Sequence, residues 1–186
     1  MLPVGREMKN RTAYGRIITI LGALLLMMEA GLSANYTAEA DHLKAAFIYN
    51  FTKYIAWPYW EKFTVFKIGV IGETELVNSL QLLAQKKTID QRPIEIHVFK
   101  NPEDFKYCHI LFIAGSEKER LTEIFGRLRN MATLTIGDTP GYCTRGVMIN
   151  FYLQGDLVKF EMNPLHLERV KLKASSQLQK LARIVQ

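Results

Sequence analysis

The segment GDTPGYCTRGVMINFYLQGDLVKFEMN, Gly137 to Asn163, runs from a glycine-rich polar loop directly into an alternating two-strand ribbon. Pro140-Gly141 is a turn dipeptide and Gly146 can take backbone angles closed to other residues, so a tight loop is expected from Asp138 to Gly146. Val147 to Leu153 then alternates: Val147, Ile149, Phe151 and Leu153 share one face, Met148, Asn150 and Tyr152 the other. Gln154-Gly155-Asp156 reverses the chain and Leu157 to Met162 completes a hairpin. The ribbon carries no catalytic constellation.

Upstream of the ribbon, strands and helices alternate. Val65 to Ile71 reads as a short strand ending in Gly72, and Glu73 to Gln85 as a helix with Leu76, Leu80 and Leu83 at helical spacing. Ile94 to Phe99 is a second strand entered through Arg92-Pro93. Asn101 and Pro102 open a single helical turn to Phe105. His109 to Ala114 is apolar on both faces, as a central strand of a covered sheet should be. Ser116 and Glu119 have capping-box spacing for a helix to about Arg129, with Leu121, Ile124, Phe125 and Leu128 as its buried stripe. Ala132 to Ile136 is a fourth strand. This alternation implies right-handed crossovers and a mainly parallel sheet, to which the hairpin adds strands of mixed direction.

At the two ends the pattern is helical. Ala38 to Trp57 places Leu43, Ala46, Phe47, Asn50, Phe51 and Tyr54 on one stripe, and Pro58 stops it. Asn50 interrupts that stripe and is expected to bond a neighbouring backbone group. Asn163-Pro164 opens a short helix, and Ala174 to Val185 makes another with Leu178, Leu181, Ala182 and Val185 inward. The expected fold is α/β: a Rossmann-like mixed sheet of parallel strands plus a C-terminal antiparallel hairpin, with helices on both faces.

The chain of 186 residues, 48% apolar, has room for one domain with a real core. Its beginning is different. Arg6, Lys9, Arg11 and Arg16 precede the uncharged run Ile17 to Met28, and small residues follow through Gly31, Ser33 and Ala34. That order of basic, apolar and small segments is a secretory signal, expected to be cleaved after Ala34. The alternative is an uncleaved anchor, against which a twelve-residue run falls short of the roughly 20 that span a bilayer. Residues 35–186 would be the exported domain. It keeps 20 basic against 16 acidic residues, a net charge of +4, with no arginine-rich stripe to suggest nucleic acid.

Catalytic and metal chemistry find little support. Gly69 and Gly72 flank the end of the first strand, but the dinucleotide fingerprint is missing and a turn role is favoured. Gly115-Ser116-Glu117 lacks the closing glycine of a nucleophile elbow, since Glu119 stands there, and Ser116 reads as a helix cap. His42, His97, His109 and His166 have no ligand-like spacing, so neither a metal nor a cofactor is expected. Asp138 and Thr139 follow the fourth strand, where α/β sheets present ligand crevices. Two readings stay open for them: Asp138 bonding loop amides, or contact with a partner or small ligand aided by Arg145. Lys171, Lys173, Lys180 and Arg183 make the last segment basic, as solvated helix surface or as a site for an acidic partner. Trp57, Tyr59 and Trp60 are the leading interface candidates because aromatics dominate binding hot spots; for Trp57, core packing is the equal alternative.

Four blocks together carry a resemblance: AAFIYNFTKYIAWP at Ala45 to Pro58, CHILFIAGSE at Cys108 to Glu117, GDTPGYCTRGVMINF at Gly137 to Phe151 and SSQLQKLARIV at Ser175 to Val185. In that order the exported chain resembles the YfiR-like family of small exported bacterial proteins. The resemblance implies a periplasmic domain, a homodimer, that is not an enzyme. It implies binding to the periplasmic sensor domain of an inner-membrane diguanylate cyclase, repressing it and lowering cyclic di-GMP, with an outer-membrane lipoprotein able to sequester the repressor. The competing expectation is a periplasmic small-ligand sensor coupled to a histidine kinase or transporter.

Family members hold two disulfides, and here Cys108 and Cys143 match one half of each; the missing partners would lie near Gly69 and Asn150. A bridge between the two remaining cysteines is not expected. Cys108 enters the third strand and Cys143 lies beyond the exit of the fourth. Opposite ends of a strand are roughly 17 to 20 Å apart, against about 7 Å for bridged Cα atoms. Unpaired or intermolecularly paired thiols are expected.

Overall fold

In the computed structural model, residues 38–129 and 131–186 are described. The expected leader, residues 1–34, lies outside the described residues. Contacts divide the chain into Met1–Glu39 and Ala40–Gln186, and the second unit is the one described below.

A helix, α1, runs over residues 38–51. It is followed by β1 (Ile55–Ala56), β2 (Phe66–Ile71), α2 (Leu76–Lys86), β3 (Thr88–Ile89), β4 (Arg92–Phe99) and β5 (Ile110–Ile113). Then come α3 (Leu121–Arg127), β6 (Leu134–Gly137), β7 (Ile149–Gln154), β8 (Leu157–Met162), α4 (Pro164–Arg169), β9 (Lys173–Ala174), α5 (Ser176–Leu181) and β10 (Arg183–Ile184). Eight strands form one sheet in the order β10-β8-β7-β6-β5-β2-β4-β3. The run β4-β2-β5-β6-β7 is parallel, with β2 in register with β4 (Phe66 opposite Ile94) and with β5 (Ile68 opposite Ile110). The hairpin β7-β8 is antiparallel, with Ile149 opposite Met162 and Gln154 opposite Leu157. A separate ribbon pairs β1 with β9. The α/β mixed sheet read from the sequence is therefore the fold.

Strand alternation sends two cores to opposite faces of the sheet. On one, Ile68, Val70, Ile110, Phe112, Leu134 and Ile136 pack with Ile48 and Phe51 of α1 and Leu76 and Leu80 of α2. On the other, Leu111 and Ile113 pack with Leu121, Ile124 and Leu128. Phe51 closes the first core against the hairpin, 4.9 Å edge-on from Phe160 and 5.9 Å from Phe151; such ring pairs contribute roughly 0.5 to 1.5 kcal/mol beyond burial. The loop before β7 is pinned by Tyr142, which is fully buried and whose hydroxyl donates to the Ala114 carbonyl at 2.9 Å. Gly146 ends that loop at φ +116, where a Cβ would also meet the Phe125 ring at 2.8 Å; both the angle and the space require glycine.

The local readings differ from the structure at four places. First, α1 stops at residue 51, before Pro58, because the chain turns there to lay β1 against β9. Its buried face is Asp41, Ala45, Ile48 and Phe51, with Leu43 and Tyr54 exposed. Asn50 lies at the surface, and its side-chain Oδ1 accepts from Lys53 Nζ at 3.0 Å in place of the expected backbone partner. Second, Ala174 to Val185 is not one helix: α5 spans six residues, only Leu178 of the expected inward set is buried, and β10 adds to the sheet parallel to β8. A six-residue helix has too few internal bonds to hold the segment against an open sheet edge. Third, Ser116 does not cap its own helix; its Oγ accepts the Glu73 N–H at 2.9 Å, and the chain tightens into a 3-10 turn over Gly115–Arg120. Fourth, β3 and β4 form a hairpin through Asp90 and Gln91, both at positive φ (47 and 65), as primed two-residue turns demand. The turn at Asn101 matches the expectation, with a full capping box to Asp104.

Candidate functional site

Strand order reverses between β2 and β5, and open α/β sheets bind their ligands at such a switch point. Here it is closed by the protein itself. The Ser116 hydroxyl bridges to Glu73, and a Cβ on Gly72 would meet both Ser116 Oγ and Glu117 Cγ. A Cβ on Gly115 would lie 2.9 Å from Thr139 Oγ1. The glycines thus serve close packing of the strand ends.

Beside this closed mouth lies a polar run built by β6, the following loop and the hairpin. Asp138 accepts from Lys44 Nζ at 2.8 Å, and Lys44 also reaches Asp41 at 3.2 Å. Burial works against the Lys44 charge, but its bonds to Asp138 and Asp41 outweigh that and hold its pKa above the ordinary value. Because Gly137 pairs with Asn150, the chain two residues on comes within reach of the hairpin: Thr139 N–H donates to Asn150 Oδ1 at 3.1 Å. Asn150 Nδ2 donates to Glu161 Oε1 at 3.2 Å, and Glu161 Oε2 pairs with Arg183, whose guanidinium lies 4.1 Å over the Tyr152 ring. Asn150 and Glu161 are buried, and burial is tolerable because each polar atom has its partner. That pairing also holds Arg183 above its ordinary pKa.

At the strand entrances stands an aromatic cluster. Trp57 is buried, and its indole N–H donates to the His109 carbonyl at 3.1 Å. His109 is enclosed by Phe63 and Phe66, each with ring centres at 4.5 Å, and its Nδ1 accepts the Lys67 N–H at 3.0 Å. Burial pushes the His109 pKa down to about 4. Protonation at Nδ1 would break the bond to Lys67. Trp60 is half-buried; its N–H donates to Asp90 Oδ2 at 3.0 Å, and the Arg92 guanidinium lies 4.5 Å over its ring. Tyr59 stands apart, 67% exposed at φ 59, with Lys62 Nζ 4.9 Å over its ring.

The structure therefore brings Asp138 and Thr139 into one neighbourhood with Arg183, and Trp57 with Trp60. Arg145 lies in a separate cleft, lined also by Phe125 and His166, in which neither Asp138 nor Thr139 takes part. Lys173 is exposed on β9, opposite Ala56. Lys44, Asp41 and Glu161 are site members that sequence reasoning missed. Lys44 and Asp138 are 94 residues apart, and no local spacing could pair them.

Both cysteines are free and buried, and burial pushes each thiol up to about 12, so neither is a nucleophile at neutral pH. A Cβ at Gly69 would lie 3.1 Å from Cys108 Sγ, which places the expected missing half of that bridge at this glycine. Cys143 Sγ instead faces the carbonyls of Glu161 at 3.7 Å and Met148 at 3.9 Å. Among the described residues, no cluster of three or more His, Cys, Asp or Glu has metal-binding geometry, and no helix is long and apolar enough to cross a membrane.

The strand mouth of this mixed α/β domain is thus filled by its own side chains. The model of the family described as YfiR/HmsC-like matches residues 41–183, and the chain belongs to that family. Membership is consistent with a periplasmic regulator of diguanylate cyclase signalling. No curated protein matches. Among solved structures, a conserved domain protein from Vibrio cholerae O1 biovar El Tor strain N16961 aligns with a TM-score of 0.50 at 12% identity. The alignment covers 66% of this chain and 55% of that one, a likeness of fold alone.

Proposed function

We propose that the exported chain is a periplasmic regulatory binding protein that represses an inner-membrane diguanylate cyclase by docking on its periplasmic sensor domain. Family membership over residues 41–183 carries this reading. Repression by docking requires tighter binding to the inactive conformer of the cyclase than to the active one, since only differential affinity shifts an equilibrium. A homodimer is the expected binding form, and an outer-membrane lipoprotein the expected sequestering partner.

Tyr59 is the contact residue this reading favours most. A positive φ is uncommon for a bulky side chain, and here it accompanies a ring left 67% exposed beside the half-buried Trp60. Lys173 and Arg183 are the charged contacts proposed for an acidic partner surface. Asp138, Thr139 and Arg145 remain proposed contacts of a partner, and Trp57 supports Trp60 from below.

Titration calorimetry with the purified sensor domain of a cyclase encoded beside this gene tests the proposal. Saturable binding is expected, weakened at least about tenfold by Tyr59→Ala, as for an aromatic hot spot. Absence of binding by the exported chain contradicts it.

A further inference from the structure

Between α3, the entrance of β6, the loop before β7 and α4 lies an open cleft of about 600 Å³, within the usual range for small-molecule sites. Its apolar walls are Phe125, Leu128, Met131, Met148 and Val170. Its charged lining is of one sign. Arg129, Arg145 and Arg169 contribute to it, together with His166, and no carboxylate does. Neither Arg145 nor Arg169 takes part in an ion pair among the described residues.

The threonines of the lining are already engaged. Thr133 donates to the Cys108 carbonyl at 2.7 Å, Thr135 accepts the Met148 N–H at 3.1 Å, and Thr144 donates to the Gly141 carbonyl at 2.8 Å. His166 Nδ1, by contrast, is buried without a hydrogen-bond partner. An unsatisfied buried polar atom calls for an explanation, and a concavity whose charged lining is all positive favours an anion.

We propose that this cleft binds a small amphiphilic anion, its carboxylate, phosphate or sulfonate head held by Arg145 and Arg169 and its apolar body lying against Phe125, Met131, Met148 and Val170. Arginine forks suit planar and tetrahedral oxyanions. The Phe125 wall depends on Gly146, since any side chain there would displace the ring.

Fluorescence titration of the exported protein with 8-anilinonaphthalene-1-sulfonate tests the site, with octanoate, octylamine and inorganic phosphate as competitors. One saturable site is expected, displaced by octanoate, far less by inorganic phosphate, which lacks the apolar body, and not by octylamine, which carries the opposite charge on the same chain. Arg145→Glu and Arg169→Glu, both at exposed positions, should each weaken the dye at least about tenfold, the scale of a lost charge-assisted contact, while leaving the thermal midpoint in place. Unchanged affinity in both variants, equal displacement by octylamine, or no saturable binding overturns the proposal. The result is read on the purified protein and is independent of whether a cyclase domain binds.

Discussion

The aromatic cluster around His109 and the polar run from Thr139 to Tyr152 each have a buried centre, His109 in one and Asn150 with Glu161 in the other, but they are held in different ways. Around His109, the Trp57 indole N–H and His109 Nδ1 are bonded to the backbone, whereas His109 Nε2 is buried among rings without a partner. In the polar run, Asn150 and Glu161 are satisfied by one another, by a loop amide and by an arginine from the last strand. The first region is a matter of volume; the second depends on the identity of every member. Substitutions should separate the two.

The largest effect is expected at the aromatic end. Trp57→Ala removes a buried ring and leaves a cavity, which should cost about 3 to 5 kcal/mol, read from the denaturant midpoint. A loss near that of a surface substitution would show that the cluster is not a core. At the same end, Gly69→Cys should oxidise with Cys108 in air and raise stability by about 2 to 4 kcal/mol, less the cost of moving the Phe99 ring, which a Cβ there would meet at 2.7 Å. Non-reducing peptide mapping identifies the bridge. Two free thiols after oxidation would mean the strands stand farther apart than described.

In the polar run, Asn150→Ala leaves the Thr139 N–H and a Glu161 oxygen unpaired, for a loss of about 1 to 3 kcal/mol. Asn150→Asp should be worse than Asn150→Ala, because it sets a second carboxylate against Glu161. Arg183→Ala, at an exposed position, should shift the midpoint less than either. If it shifts it more, Arg183 holds β10 in the sheet by itself.

The pH dependence separates the regions again. The folded His109 has a pKa of about 4, against about 6.5 when unfolded. Below about 6.5 the unfolded chain takes up a proton that the folded chain refuses. Stability contributed by His109 is thus full above that value and falls as pH drops toward 4. His109→Gln should flatten this slope, measured as the thermal midpoint across the same window. An unchanged slope would assign the dependence to other groups.

Much of the fold was legible because the strands are long enough to declare themselves. Phe66–Ile71 is apolar but for Lys67, Ile110–Ile113 is wholly apolar, and the hairpin at Gly155 alternates on both sides of its turn. What was hidden was set by tertiary contact. The buried face of α1 keeps Phe51 of the expected stripe but otherwise runs through Asp41, Ala45 and Ile48, and Asp41 is a residue that periodicity counts as outward. The last segment had helical spacing, yet the open edge of β8 draws Arg183 and Ile184 into the sheet. Ser116 had the spacing of a cap but turns its hydroxyl to another strand's exit. Of the proposed contacts, the grouping of Trp57 with Trp60 followed from their adjacency, whereas the link from Thr139 through Asn150 and Glu161 to Arg183 joins three segments that only the sheet brings together.

The proposed function places the chain in the periplasm, acting on a cyclase by docking. Cyclic di-GMP measured in cells deleted for the gene, then complemented with the full chain or with residues 35–186 lacking the leader, tests it most directly. The account predicts a rise on deletion that only the full chain reverses. An unchanged level on deletion, or equal reversal by the leaderless chain, would contradict it.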